Sequence, residues 1–180
     1  MAGIKQPLQD ILTRLATLTV KGGDGAFFNI YTRVWNNQIE YMRKGEGVDF
    51  PRPAAFVEIV SPVAYQEIGG GVLSADLGFN IHLVCENYDN GGGTFDQDLV
   101  VFDLRDAMFL LFSEFQPTGC SKMVIVNEQQ DFDHDNVYHY VISWVCHYLD
   151  SKASPYDSAA GRYTDSVPPT QIVINAAKAT

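Results

Sequence analysis

FDQDLVVFDLRDAMFLLFSEF, residues 95–115, decides how this chain folds. At 3.6 residues per turn, Val100, Val101, Leu104, Ala107, Met108, Leu111, Phe112 and Phe115 fall on one face, the stripe of a helix packed on a core. The opposite side carries Asp96, Asp98, Asp103, Arg105 and Asp106, yet Phe95, Leu99, Phe102, Phe109 and Leu110 are interleaved with these charges. A helix with two apolar faces must cover both. The second cover is either more of the same chain or another copy of it. We expect another copy, which makes Phe95, Leu99, Phe102, Phe109 and Leu110 candidate oligomer-interface residues.

The flanking segments supply a sheet for the first face. Upstream, residues 72–87 alternate strictly: Leu77, Phe79, Ile81, Leu83 and Cys85 point one way, and Asn80, His82 and Glu86 the other. That period of two is a half-buried strand. YDNGGG (88–93) releases the chain into the helix, with Thr94 as N-cap and Gln97 three positions later. Downstream, 123–130 and 137–149 are strands joined by the polar turn DFDHDN, an antiparallel hairpin. On its second strand Tyr138, Tyr140, Ile142, Trp144, Cys146 and Tyr148 share one face. Val137, His139, Val141, Ser143, Val145, His147 and Leu149 share the other. Two covered faces imply a central strand or one at an interface.

Further out, Ile4, Leu8, Ile11, Leu12, Leu15 and Leu18 recur at three- and four-residue spacing, which predicts an amphipathic helix over 7–18 with Pro7 in its first turn. Glycines at 22, 23 and 25 break the chain. Residues 26–35 read as a strand, 36–53 as a projecting ribbon or a loop, and 54–60 as a short strand ended by Ser61-Pro62. Gly69, Gly70 and Gly71 form a second breaker. These elements predict an α+β domain over residues 1–150: a mixed, mainly antiparallel sheet backed by an N-terminal helix and one long central helix. From 151 to 180 the composition turns small, polar and Pro-containing, which reads as an extended arm tipped by QIVIN (171–175). Ile172 and Ile174 would let the arm add a strand to a neighbour's sheet; a disordered terminus is the alternative.

Composition narrows the function. The chain of 180 residues is 46% hydrophobic and 12% aromatic, which suits a globular domain. Twenty-two acidic against twelve basic residues give a formal charge of −10, which opposes binding to a phosphate backbone. An acidic surface can still lie beside DNA that must slide past without sticking. Cys85, Cys120 and Cys146 are odd in number and form no CxxC pair, so reduced thiols are expected rather than a disulfide framework or zinc site. Cys120, in a loop after Thr118-Gly119, is the thiol expected to be most exposed. The opening MAGIKQPLQD has no apolar signal core, and no apolar run reaches the roughly 20 residues of a membrane span. A soluble, cytoplasmically made protein is expected, with no membrane partner.

Catalytic and cofactor signatures are sparse. GGDGAF precedes a strand and lacks a Lys-Ser or Lys-Thr, and GGGTFD has no lysine, so neither makes a phosphate loop. Asp131, Asp133, His134 and Asp135 offer three carboxylates and an imidazole in five positions, enough for a divalent metal, but without the glycine and closing glutamate of an EF-hand. Asp and Asn also favour hairpin turns for their own sake. His139 and His147 lie roughly 27 Å apart by strand rise, too far for one ion. His82 is expected to face solvent or to be hydrogen-bonded. No serine lies in a GxSxG elbow, so no Ser–His–Asp set can be argued. Glu58, Glu67 and Glu86 are scattered. The balance is against an enzyme, a cofactor or a metal.

The strand ADLGFNIHLVCENY (75–88), the helix DLVVFDLRDAMFLLF (98–112) and the hairpin MVIVNEQQDFDHDNVYHYVISWVCHYL (123–149), in this order after an N-terminal helix, resemble the tail-terminator (tail-completion) family of tailed bacteriophages. The resemblance spans about residues 4–150 and rests on element order and pattern. It implies a compact α/β subunit of a ring, typically sixfold, at the head–tail junction of the virion. There the ring would contact portal-side connector and tail proteins and surround the DNA channel, without catalysis. The segment 36–53 and the arm 151–180 depart from a minimal member, which leaves open terminator, adaptor or another connector ring. The alternatives are a monomeric or dimeric α+β module that binds a protein or ligand, and a metal-dependent enzyme using the 131–135 turn.

Overall fold

A computed structural model describes residues 3–21, 27–45, 49–60, 63–86, 99–131 and 137–151, with the backbone of 156–157 and 162–163. The chain opens with helix α1 (Lys5–Leu15) and a small hairpin of β1 (Thr19–Lys21) and β2 (Phe27–Asn29). It continues through β3 (Tyr31–Val34), the short helix α2 (Gln38–Arg43), β4 (Ala54–Ile59), β5 (Tyr65–Gly69) and the long β6 (Val72–Glu86). Helix α3 (Val100–Phe112) precedes the hairpin β7 (Val124–Asp131) and β8 (Val137–Asp150). The two-residue strands β9 (Tyr156–Asp157) and β10 (Arg162–Tyr163) pair with each other.

The main sheet runs β3-β4-β6-β8-β7. Only β3 and β4 are parallel; β5 pairs the start of β6, on the side that β4 occupies further along. The fold is therefore α+β, as the sequence predicts. The alternation of β6 meets that of β8 in register: Leu77 opposes Cys146, Phe79 opposes Trp144, Ile81 opposes Ile142 and Leu83 opposes Tyr140. All of these face the helices. Ile11 and Leu15 of α1 and Val101, Leu104, Met108 and Phe112 of α3 complete one core. Each such side chain contributes about 1.5–3 kcal/mol by leaving water. Arg14 clamps the two helices, donating from Nε to the Leu111 carbonyl at 2.7 Å with its guanidinium over the Phe115 ring.

Several boundaries differ from the sequence-based expectation, each for a local reason. Helix α1 stops at Leu15, because the Leu18 carbonyl accepts from Ile30 and residues 19–21 turn to β pairing. The same contact splits the expected 26–35 strand: Ile30 dives into the core between β2 and β3. Helix α3 ends at Phe112, since Glu114 takes a left-handed conformation with φ 64°. Residues 36–53 form neither a ribbon nor a plain loop. They carry α2 and a cis Arg52–Pro53 peptide, and they lay Ile39 and Phe50 on the second face of the sheet. There Phe56, Val84 and Val137 join them in a smaller core with Tyr31, Trp35 and Met42 at its rim. The late half of β6 is thus buried on both faces. The breaker at 69–71 is a hairpin turn, each glycine at positive φ, and its first strand, β5, had no signal in the sequence. Phe95 and the arm tip with Ile172 and Ile174 lie outside the described residues.

Candidate functional site

Two regions bring chemistry-bearing or unpartnered side chains together. The first is the outer face of α3. While Val101, Leu104, Met108 and Phe112 are buried beneath it, Leu99, Phe102, Phe109 and Leu110 remain 37, 43, 41 and 74% exposed. Arg105 fixes the helix over the sheet edge through a two-pronged contact with Glu128 of β7, Nε and Nη2 donating at 2.7 and 2.9 Å. Its Nη1 also donates to Asp106 at 3.0 Å. These bonds, Glu128 foremost, raise its already high proton affinity. The guanidinium lies 5.5 Å from the Phe109 ring, and Phe102 stands edge-on to Tyr138 and Tyr140 of β8. The apolar ridge is therefore held rigidly, and it continues onto the sheet. Four of the seven sequence-predicted contact residues fall on this ridge.

The second region lies on the other face, where a polar chain crosses four strands. Glu58 of β4 faces His82 of β6 at 3.3 Å (Oε2 to Nε2), and the Nδ1 of His82 lies 2.9 Å from the Nε2 of His139 on β8. The Nδ1 of His139 faces Asp131 of β7 at 3.1 Å. Asn80 donates to Glu58 at 2.8 Å and accepts from Ser143 at 2.8 Å. Both imidazoles are buried, and Trp35 stacks flat on His82 with ring centres 4.0 Å apart. The expectation of a solvent-facing His82 is thus replaced by its alternative, a hydrogen-bonded one. Burial lowers the proton affinity of His82, and Glu58 opposes that only in part. The inner nitrogens, 2.9 Å apart, need one proton between them, so one ring donates across the contact and the other accepts. Sequence reasoning missed this pairing, because it depends on the β6–β8 register, in which Val84 opposes His139 and His82 sits diagonally.

That register also assembles a set that sequence spacing could not reveal. Ser74 Oγ lies 3.2 Å from His147 Nε2, and His147 Nδ1 lies 3.1 Å from Asp76 Oδ1. The connectivity is that of a Ser–His–Asp triad, but the environment differs. The Asp76 and His147 side chains are 76 and 53% exposed in an open depression shared with Ala64 and Gln66. Ser74 sits mid-strand, opposite both Gln66 and Leu149, so the backbone around it is committed to strand pairing rather than to an oxyanion.

Of the acidic turn, Asp131 is engaged with His139, and Asp133, His134 and Asp135 lie outside the described residues. Among the described residues no three His, Cys, Asp or Glu side chains converge as metal ligands. Cys120 corrects an expectation: it is buried, because residues 120–121 pair back onto β8. A hydrogen bond with Cys146 and burial push its thiol well up. Burial alone pushes Cys85 up to about 12. Among the described residues no helix is long and apolar enough to cross a membrane. No protein-family model and no curated protein matches the chain.

Proposed function

We propose that this protein is a structural virion protein whose copies form a ring, hexameric in the family it resembles, at the head–tail junction of a tailed phage. The ring would complete or join the tail, contact the neighbouring connector and tail proteins, and surround the DNA channel. The observation that carries the reading is the ridge of Leu99, Phe102, Phe109 and Leu110, exposed on a helix whose other face is fully packed. Contiguous exposed apolar surface marks an association site. A net charge of −10 suits a wall past which DNA slides, since tight phosphate binding needs clustered cations.

The test is Phe102→Asp with Phe109→Asp. Both side chains are partly in water, so circular dichroism should stay close to wild type, with unfolding showing only a loss of about 1–2 kcal/mol from the Phe102–tyrosine and Phe109–Arg105 contacts. Sedimentation velocity, together with incorporation into assembled particles, should show loss of the ring. Rings and particles that form unchanged from the double variant would refute the assignment.

A further inference from the structure

A ring needs two different surfaces on each copy, because a head-to-tail contact does not repeat the same patch on both sides. This inference rests on the ring reading above, and it names the second surface. From the placement of charge and apolar area we infer that the α3 ridge of one copy docks on the β1–β2 hairpin and adjoining β3 edge of the next.

The hairpin is one of the other places where large apolar side chains stand out, beside Ile68 of β5 and Val124 and Val126 of β7. Phe27 is 71% exposed, and its neighbour Phe28, pointing to the opposite side of the two-stranded ribbon, is exposed as well. Val34, at the end of β3, is also exposed. Position matters as much as composition. The strand β3 is one outer strand of the sheet, and the hairpin runs into it through Ile30; β7 is the opposite outer strand, and Arg105–Glu128 ties α3 to it. The two apolar patches thus sit at opposite edges of one sheet. A contact between them propagates from copy to copy in one direction and closes when the rotation allows.

Charge selects the same pairing. Residues 1–52 contain seven Lys or Arg and five Asp or Glu, a net of +2; residues 53–180 contain five and seventeen, a net of −12. Locally, exposed Lys21 and Arg33 flank the hairpin phenylalanines. Exposed Asp103 and Asp106 flank the α3 ridge, where Arg105 is already taken by Glu128. An α3-on-α3 contact between two copies would bring these aspartates onto their own kind. Contact with the hairpin brings them onto cations, and such complementarity decides register and partner choice.

The test uses two single-cysteine additions in the full chain, Phe27→Cys and Leu110→Cys, with the three native thiols buried. The variants are mixed under mild oxidation, in solution across a wide concentration range and in assembled particles. The expected product is a mixed dimer carrying one chain of each kind, with little cross-linking in either variant alone. Cross-linking of Leu110→Cys with itself, or no mixed product in solution or particles, overturns the pairing. A second arm reverses charge. Lys21→Glu with Arg33→Glu should weaken self-association by about tenfold, and adding Asp103→Lys with Asp106→Lys should restore it. Self-association unchanged by the first pair, or unrestored by the second, overturns the pairing too. The Phe102→Asp, Phe109→Asp variant separates the two failures. If it still abolishes the ring while the hairpin variants do nothing, the ridge contacts some other surface; if it too does nothing, the ring reading falls.

Discussion

Replacing one ring of the His82–His139 pair should be nearly as damaging as replacing both. In His139→Leu the Nδ1 of His82, buried and formerly 2.9 Å from its partner, is left with no described acceptor or donor. An orphaned buried polar atom costs about 1–3 kcal/mol. His82→Leu breaks the same contact and also removes the ring that Trp35 stacks on, worth about 0.5–1.5 kcal/mol. His139→Leu should therefore lose about 1–3 kcal/mol, and His82→Leu a comparable amount. The double variant removes both rings together, and its leucines sit beside Phe56, Val84 and Val137; Glu58 and Asp131 are partly exposed and can turn to water. Its loss should fall short of the sum of the singles by about 1–2 kcal/mol. Urea unfolding at fixed pH reads this directly. A second leg varies pH. Burial depresses the proton affinity of His82, so in the folded state it refuses the proton that the unfolded chain accepts near pH 6.5. The unfolded state then binds more protons, and stability falls as pH drops below about 6.5, by at most ~1.4 kcal/mol per pH unit, until the folded His82 titrates. Above the unfolded value the contribution is fully present. The double variant should lose this slope, and nitrogen NMR of the wild type at neutral pH should show His82 as a neutral ring. Additive single losses, together with an unchanged slope in the double variant, would refute the proton-sharing chain.

Two further outcomes follow from packing. A Cβ added at Gly78 would lie 3.0 Å from Val60 Cβ, so Gly78→Ala should cost about 1 kcal/mol in urea unfolding, and less in a Val60→Gly background, which lacks that Cβ. Cys85, Cys120 and Cys146 are all buried, so iodoacetamide should label them only after denaturation; rapid labelling of the native protein would contradict that burial.

How much of this was readable in the sequence depended on whether one element's own residues decided the outcome. β6, α3 and the β7–β8 hairpin show their period in ten or more residues each, and all three formed, with α3 ending at Phe112, three residues short of the pattern. The α3 ridge was legible for the same reason, since helical spacing alone separates Leu99, Phe102, Phe109 and Leu110 from the core stripe. What failed was set by distant partners. Leu18 and Ile30 end one helix and split one strand through a single hydrogen bond. Ile39 and Phe50 acquire a core position only because Phe56 and Val84 present a second apolar face. The histidine pair and the Ser74–His147–Asp76 set exist through the β6–β8 register, which no local window contains. Cys120 looked like a loop thiol because its pairing to Tyr148 lies 28 positions away.

The contrast between the two helices on the same face of the sheet bears most directly on function. Helix α1 obeys the ordinary rule: Ile11 and Leu15 are buried, and Lys5, Gln9 and Thr13 face water. Helix α3 buries its inner stripe equally well, so its exposed residues are not the remainder of a poor fit. Nor is the helix loosely placed, since Arg105 locks it to Glu128 and Phe102 rests against two tyrosines. A well-packed helix that still holds a rigid apolar ridge in water marks a place that serves something other than folding. A convex ridge offers no cavity for a small ligand, whereas it suits a flat or shallow partner surface. The oppositely charged hairpin at the far sheet edge is such a surface, and pairing the two covers both exposed patches with one contact type. That economy favours assembly of identical copies over a monomeric binding module, which would leave Phe27 and Leu110 in water together.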